Sequence, residues 1–430
     1  MLKEFTDLDA WKEARKLVNE IYKITKGEIV SKDYGFKDQI QRASVSIMSN
    51  IAEGSAAKSK VEFARFLTIA RRSSNETQSL LFIALDQKYI PEDKFNLLTQ
   101  QCIKVSQIIN GLIRFLYETT SKRFMKISII GAGNVGGLTA MRVAQDGLGD
   151  VFLIDIAPGL AQGKSLDMED ARSLLKINYN VTGSASIKDT EKSDIIVVTA
   201  GLARKPGMTR EDLANKNALI LKDICLTLRE LAGDAIVIIV TNPLDLMTYF
   251  ALKKTSFEPS RLFGMGVSLD TSRFANLIAK ELKISPVDVE AYVIGIHGEG
   301  MLPLTRLCTI NGVALDEFMQ EDRVRDLAKR TVNRGAEIVS LLGSGSAYFA
   351  PSAAIAALVK AIAKDEKRTI PVSACLNGQY GLKDVCLGVP ARIGSTGIEE
   401  ILELDLNKEE KEILARSAET LRAQYKNITA

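Results

Sequence analysis

The sequence predicts an all-α four-helix bundle over residues 1–121, followed from residue 125 by an α/β unit built on a parallel sheet. Three observations carry this reading. Apolar residues recur at three- and four-residue spacing throughout the first part. Short β-branched runs alternate with helical stretches in the second, the pattern of strands buried on both faces. A glycine-rich loop follows the first of those runs directly.

The bundle is read from four apolar stripes. Trp11, Ala14, Leu17, Val18, Ile21 and Ile24 make the first, and Phe36, Ile40, Ala43, Ile47 and Ile51 the second. Residues 61–85 carry Phe63, Phe66, Leu67 and Ala70, then Leu80, Leu81 and Ala84. Phe95, Leu98, Cys102, Val105, Ile109, Leu112 and Leu116 complete the set. Four such stripes bury one another. Breaks are expected at residues 27–31, 54–59 and 88–91.

From Met125 the pattern changes. Strands are expected at residues 126–130, 151–154, 195–199 and 235–240, with helices between them. We place a dinucleotide-binding domain at 125–268 and a catalytic domain at 269–430. The junction, residues 117–125, has neither Gly/Ser nor Pro character and is short. Met125 stands where an independent protein would start, so the chain reads as a fusion.

Composition narrows the class. Of 430 residues, 46% are hydrophobic and 25% charged, which excludes long disorder, collagen and a coiled-coil rod. No apolar run approaches the roughly 20 residues that span a bilayer. Charges occupy the N-terminal positions where a signal peptide needs apolar residues. The five cysteines lack CxxC spacing, which points to a reducing compartment, taken as the cytoplasm, and against a disulfide framework. His297 is the only histidine, so one chain cannot build a multi-histidine metal centre and no metal is expected. Residues 1–124 hold 20 Lys and Arg against 15 Asp and Glu, a basic head on a slightly acidic body, compatible with an anionic partner.

The loop Gly131-Ala132-Gly133-Asn134-Val135-Gly136 lies between a strand and a helix. Its glycines permit a tight turn, backbone approach to a pyrophosphate, and close helix–strand packing. Asp155 ends the second strand 22 residues after Gly133, where a carboxylate accepts both ribose hydroxyls. Ile156, Ala157 and Pro158 follow it, with no Arg for a 2′-phosphate, so NAD is preferred to NADP.

The remaining chemistry lies in four segments. One is Ile294-Gly295-Ile296-His297-Gly298-Glu299-Gly300. A second runs from Thr199 through Arg204, Pro206 and Gly207 to Arg210 and Asp212. The third is Val240-Thr241-Asn242-Pro243-Leu244-Asp245, and the fourth Leu269-Asp270-Thr271-Ser272-Arg273. Together they resemble the malate dehydrogenases of the lactate-dehydrogenase-like group, over residues 125–430. The resemblance implies a Rossmann-type NAD domain, an α+β catalytic domain, and interconversion of (S)-malate and oxaloacetate by hydride transfer. It further implies that His297 accepts the proton during malate oxidation and that Asp270 orients it. Arg273 then binds the C1 carboxylate and Arg210 polarises the reacting oxygen. Asn242 touches substrate and nicotinamide ribose, and Asn217, Val240 and Thr241 line the cofactor. Arg204, on a loop bent by Pro206 and Gly207, reads the second carboxylate that separates oxaloacetate from pyruvate. The group's frequent His-Gly-Asp is His-Gly-Glu here. Glu299 keeps the charge but adds a methylene in a region expected to be tight, and Ile296 is bulkier than the frequent Gly. A homo-oligomer, dimer or tetramer, is implied through this part.

Physics supports these residue types. A secondary alcohol losing hydride needs a base, and imidazole titrates near working pH. A carboxylate beside the ring fixes its tautomer. A planar guanidinium forks onto a carboxylate and aligns the substrate carbon.

Residues 3–118, above all Ser49-Asn50-Ile51-Ala52-Glu53-Gly54, resemble the four-helix proteins of 23S rRNA intervening sequences. That resemblance implies assembly, and an RNA or protein partner for the bundle. Two other readings stay open at this point. One is a nucleic-acid-binding or assembly protein acting through the bundle; the other is a different, lactate-like 2-hydroxyacid dehydrogenase.

Overall fold

Two compact units, Met1–Arg123 and Phe124–Ala430, make up the chain in a computed structural model. It describes residues 4–57, 60–120, 125–202, 208–343 and 345–429, with Val61, Arg114, residues 117–120 and Arg210 given by their backbone alone. The first unit holds α1 (Asp9–Ile24), α2 (Tyr34–Ser55), α3 (Lys60–Asp86) and α4 (Glu92–Thr120). Leu17, Ile21, Ile40, Ile47, Ile51, Leu67, Leu81, Leu98 and Ile109 are fully buried, so each stripe does face the interior. The apolar repeat of α3 lapses between Ala70 and Leu80 because a polar layer replaces it. Ser73, Ser74 and Thr77 are buried there. Ser73 Oγ meets Ser46 Oγ at 2.9 Å and Ser74 Oγ donates to the Cys102 carbonyl at 3.2 Å. Polar groups partnered in this way do not oppose burial.

The expected break at 54–59 lies between Ser55 and Lys60. Gly54 does not end α2, which continues to Ser55. A Cβ at Gly54 would lie 2.6 Å from Phe66 Cβ and 2.7 Å from Phe63 Cδ2. The glycine is there so that α3 can pack close, not to stop a helix.

The second unit begins with β1 (Lys126–Ile130), α5 (Asn134–Gln145), β2 (Asp150–Ile154), α6 (Leu160–Leu175) and β3 (Val181–Ser184). Then come β4 (Ile195–Val198), α7 (Arg210–Leu231), β5 (Ile236–Ile239), α8 (Leu244–Lys254) and β6 (Leu262–Gly264). These strands run parallel in the order β3-β2-β1-β4-β5-β6. All residues of β4 and β5 are buried, as continuous β-branched runs in a covered sheet should be. Strand order departs in opposite directions from β1, so the loops after β1 and β4 open a crevice at the strand ends.

The remainder holds α9 (Ser268–Leu282), β7 (Val289–Glu290), β8 (Val293–Gly295), β9 (Met301–Pro303), β10 (Thr309–Ile310), β11 (Val313–Ala314), α10 (Glu321–Leu342), α11 (Phe349–Ala363), β12 (Arg368–Asn377), β13 (Lys383–Gly394), β14 (Gly397–Ile401) and α12 (Lys408–Lys426). β12 and β13 form a long antiparallel hairpin that continues the sheet. Its links are narrow: Ser373 opposite Gly264 of β6, and Gly388 opposite Gly295 of β8. The sheet therefore runs unbroken past residue 268. Among the described residues, no helix is long and apolar enough to cross a membrane.

Candidate active site

The glycine loop leaves β1 and enters α5. Gly131 has φ of +103°, a conformation that disfavours any side chain. A Cβ at Gly136 would fall 1.8 Å from the Gly131 carbonyl oxygen, so helix and turn touch. Gly133, in contrast, has open space around its Cβ position and starts α5 with no side-chain cap. Uncapped N–H groups at a helix N-terminus with room before them form an anion site. Asn134 is exposed, Val135 half-buried and Ala132 buried. Asp155, just beyond β2, accepts from the Ala132 N–H at 2.6 Å and the Ala157 N–H at 2.9 Å. Its carboxylate is thereby fixed at the mouth of the same loop, and Ile156 beside it is 93% exposed.

The loops after β4 and β5 form the second wall. Thr199 Oγ1 donates toward the Gly131 carbonyl at 3.0 Å, tying the two loops together. Thr241 Oγ1 donates to the Ala200 carbonyl at 2.6 Å. Asn217 on α7 is fully buried. Its Oδ1 accepts from Leu202 N–H at 2.7 Å, and its Nδ2 donates to the Asn242 carbonyl at 2.7 Å. Its amide thus braces the loops after β4 and β5 against each other. Asn242 itself is exposed and Val240 half-buried. Arg210 is the first residue of α7, whose start is fixed by a reciprocal Thr209–Asp212 capping box. Arg204, Pro206 and Gly207 lie outside the described residues.

Behind these walls sits a buried chain of charges. Asp270, in the first turn of α9, is fully buried. Its Oδ2 lies 2.6 Å from His297 Nδ1, and its Oδ1 accepts from Arg273 Nη1 at 2.9 Å. We assign the Nδ1 tautomer of His297 from this bond, since a carboxylate can only accept. Burial alone pulls the imidazole pKa down, but the hydrogen bond and charge of Asp270 outweigh it and hold the pKa above the usual 6.5. The buried Arg273 Nε has no partner among the described residues, so the guanidinium keeps a donor for an incoming acceptor. The His297 backbone N–H donates to Asp245 Oδ2 at 2.6 Å, a partner the sequence reading passed over. Glu299 is exposed. Ile296 fills the gap against Gly300, where a Cβ would come within 2.9 Å of it.

A dinucleotide crevice beside a buried carboxylate–imidazole pair defines a dehydrogenase of hydroxyl substrates. Residues 125–264 match the family described as lactate/malate dehydrogenase, NAD binding domain, and residues 267–430 match its alpha/beta C-terminal domain. The malate dehydrogenase of Methanosarcina mazei is 49% identical over 298 residues, which is 69% of this chain and 97% of the relative. The solved malate dehydrogenase of Salinibacter ruber superposes with a TM-score of 0.67 at 40% identity, over 70% of this chain and 97% of that one. A lactate dehydrogenase of Cryptosporidium parvum, solved with lactic acid and NAD, gives 0.68 at 36% identity, over 70% and 97%. The chain belongs to the lactate/malate dehydrogenase family and is an NAD-dependent oxidoreductase. Residues 6–111 match a separate family, described as 23S rRNA-intervening sequence protein. The loop geometry is compatible with NAD: the open approach at Gly133 and the uncapped helix N-terminus leave room for a diphosphate, and Asp155 offers a carboxylate at the same loop.

Proposed function

We propose that the chain is a malate dehydrogenase that interconverts (S)-malate and oxaloacetate, with residues 125–268 binding NAD and 269–430 carrying the base. The observation that carries this reading is the buried Arg273–Asp270–His297 chain at the end of the dinucleotide crevice. NAD, when bound, supplies the two-electron acceptor for the substrate carbon. The protein supplies the rest. His297 takes the hydroxyl proton on its free Nε2, and the negative Asp270 stabilises the imidazolium that forms. Arg273 pairs with the C1 carboxylate through the donors that Asp270 does not use. Arg210 polarises the reacting oxygen, Asn242 positions substrate and ribose, and Arg204 pairs with the distal carboxylate. The catalytic part acts as a dimer or tetramer, and the basic bundle of residues 1–121 is an accessory module with an RNA or protein partner.

NADH oxidation by the full chain, measured with oxaloacetate and with pyruvate, tests the substrate assignment. Oxaloacetate should be strongly preferred, because pyruvate leaves Arg204 unpaired in a desolvated site. Arg204→Gln should raise the pyruvate-to-oxaloacetate ratio of kcat/KM by about 100-fold or more. An unchanged ratio would remove Arg204 from substrate recognition.

The raised His297 pKa sets the pH dependence, with opposite signs in the two directions. Malate oxidation needs neutral imidazole, so its kcat/KM should rise with pH through a midpoint above 6.5. Oxaloacetate reduction needs imidazolium and should fall through the same midpoint. Paired pH profiles check this; limbs of equal sign in both directions would refute His297 as the proton carrier.

A further inference from the structure

We propose that Asp245 is a positioning residue for this reaction, holding the backbone of His297 as an uncharged acid while Asp270 holds its ring as a carboxylate. The inference rests on reading His297 as the proton acceptor.

Asp245 lies in the first turn of α8, three residues after Asn242, and is 2% exposed. Its Oδ2 accepts the His297 N–H at 2.6 Å. Its Oδ1 is buried and has no hydrogen-bond partner among the described residues. The hydroxyl of Ser373, on β12, faces it and is buried without a partner too. The Ser373 hydroxyl can answer Oδ1 in either state, as donor to a carboxylate or as acceptor from an acid. No Lys or Arg pairs with Asp245 among the described residues, and a carboxylate closed into the interior without a cation is strongly unfavourable, so the group takes a proton. Oδ1–H then donates to Ser373 Oγ, and Oδ2 remains the carbonyl oxygen that accepts from His297.

The surroundings favour that state. Burial raises the Asp245 pKa and the nearby charge of Asp270 adds to it, against the lowering effects of Ser373 and His297. The Cys386 thiol of β13, itself buried, also faces Asp245 and brings no positive charge. The helix N-terminus favours an anion, but weakly beside complete desolvation. Space is closed by glycines. A Cβ at Gly264 would lie 2.5 Å from Thr248 Oγ1 and 2.9 Å from Ser373 Cβ, and one at Gly388 2.7 Å from the Gly295 carbonyl. Strands β6 and β12 thus close on α8 at Thr248 and Ser373, and β13 closes on β8 at Gly295. Two acids in different protonation states then grip one histidine, one at the main chain and one at the ring. The base is thereby tied to the start of the same helix that presents Asn242.

Two variants of the full chain test this. Asp245→Asn keeps an acceptor for His297 N–H and a donor for Ser373 Oγ. It should keep kcat/KM for oxaloacetate within about threefold of the parent, with an unmoved pH limb. Asp245→Ala removes both bonds and should lower kcat about 10- to 100-fold, with NADH affinity unchanged. If Asp245→Asn loses activity like the alanine variant, or its pH limb shifts to lower pH, Asp245 is charged and the proposal fails. It also fails if Asp245→Ala turns over at the parent rate. Should the alanine variant not fold, the near-isosteric Asp245→Asn decides alone. A parent enzyme inactive on oxaloacetate would instead defeat the functional reading itself.

Discussion

His297→Asn is expected to lower turnover with oxaloacetate by about 100- to 10,000-fold while NADH binding stays within about twofold of the parent. An amide neither accepts nor delivers a proton at working pH, so the reacting oxygen loses its only exchange partner among the described site groups. What the substitution leaves intact is equally defined. The glycine loop is shaped by backbone contacts within β1, α5 and the loop after β4, to which the His297 side chain contributes nothing. Asn still offers the backbone N–H that Asp245 Oδ2 accepts. Its side chain can donate to Asp270, so no buried carboxylate is stranded and folding should survive. Steady-state kinetics beside a fluorescence titration with NADH separates the two effects. Turnover within tenfold of the parent would move the proton transfer to another group, and a lost NADH site would mean that the variant reports on folding.

The site was legible in the sequence where its geometry is local. Gly131, Gly133, Gly136 and Asp155 are set by the length of one strand, one turn and one helix, so spacing alone brings them to one loop. The His297–Asp270 bond joins residues 27 apart on different elements, and no periodicity encodes that meeting. It was reached through resemblance. Asp245 was in view within the segment 240–245 but carried no assigned role, because its burial depends on β12 and β13 arriving from more than 120 residues later. Those two strands were not anticipated, nor was the three-residue β6 to which β12 pairs. Asn217 was placed at this wall, but its bonds to Leu202 and Asn242 were not legible, since they depend on loops that fold over it. Gly54 shows the same limit in the bundle. A glycine near a helix end reads as a stop until Phe63 and Phe66 of the neighbouring helix are seen against it.

Asp270→Asn should prove as damaging as removal of the base, with about a 1,000- to 10,000-fold loss in kcat/KM. Asp270 serves two donors at once, His297 Nδ1–H at 2.6 Å and Arg273 Nη1 at 2.9 Å. An amide offers one acceptor and one donor, so it can satisfy only one of them. If its oxygen faces Arg273, its NH₂ faces the ring. The imidazole must then present a lone pair on Nδ1 and carry its proton on Nε2, where it cannot act as the base. If the amide turns over, its NH₂ presses on the guanidinium, and the arginine that should align the substrate is displaced. Both arrangements also remove the charge that lifts the His297 pKa, leaving the depressing effect of burial. The residual activity should therefore titrate at lower pH than in the parent. Asp270 is fully buried and held on both oxygens, so water cannot take over its role. Measuring kcat/KM across pH for the variant tests both parts of the argument. A loss below tenfold, with the midpoint unmoved, would show that Asp270 neither selects the tautomer nor supports the imidazolium.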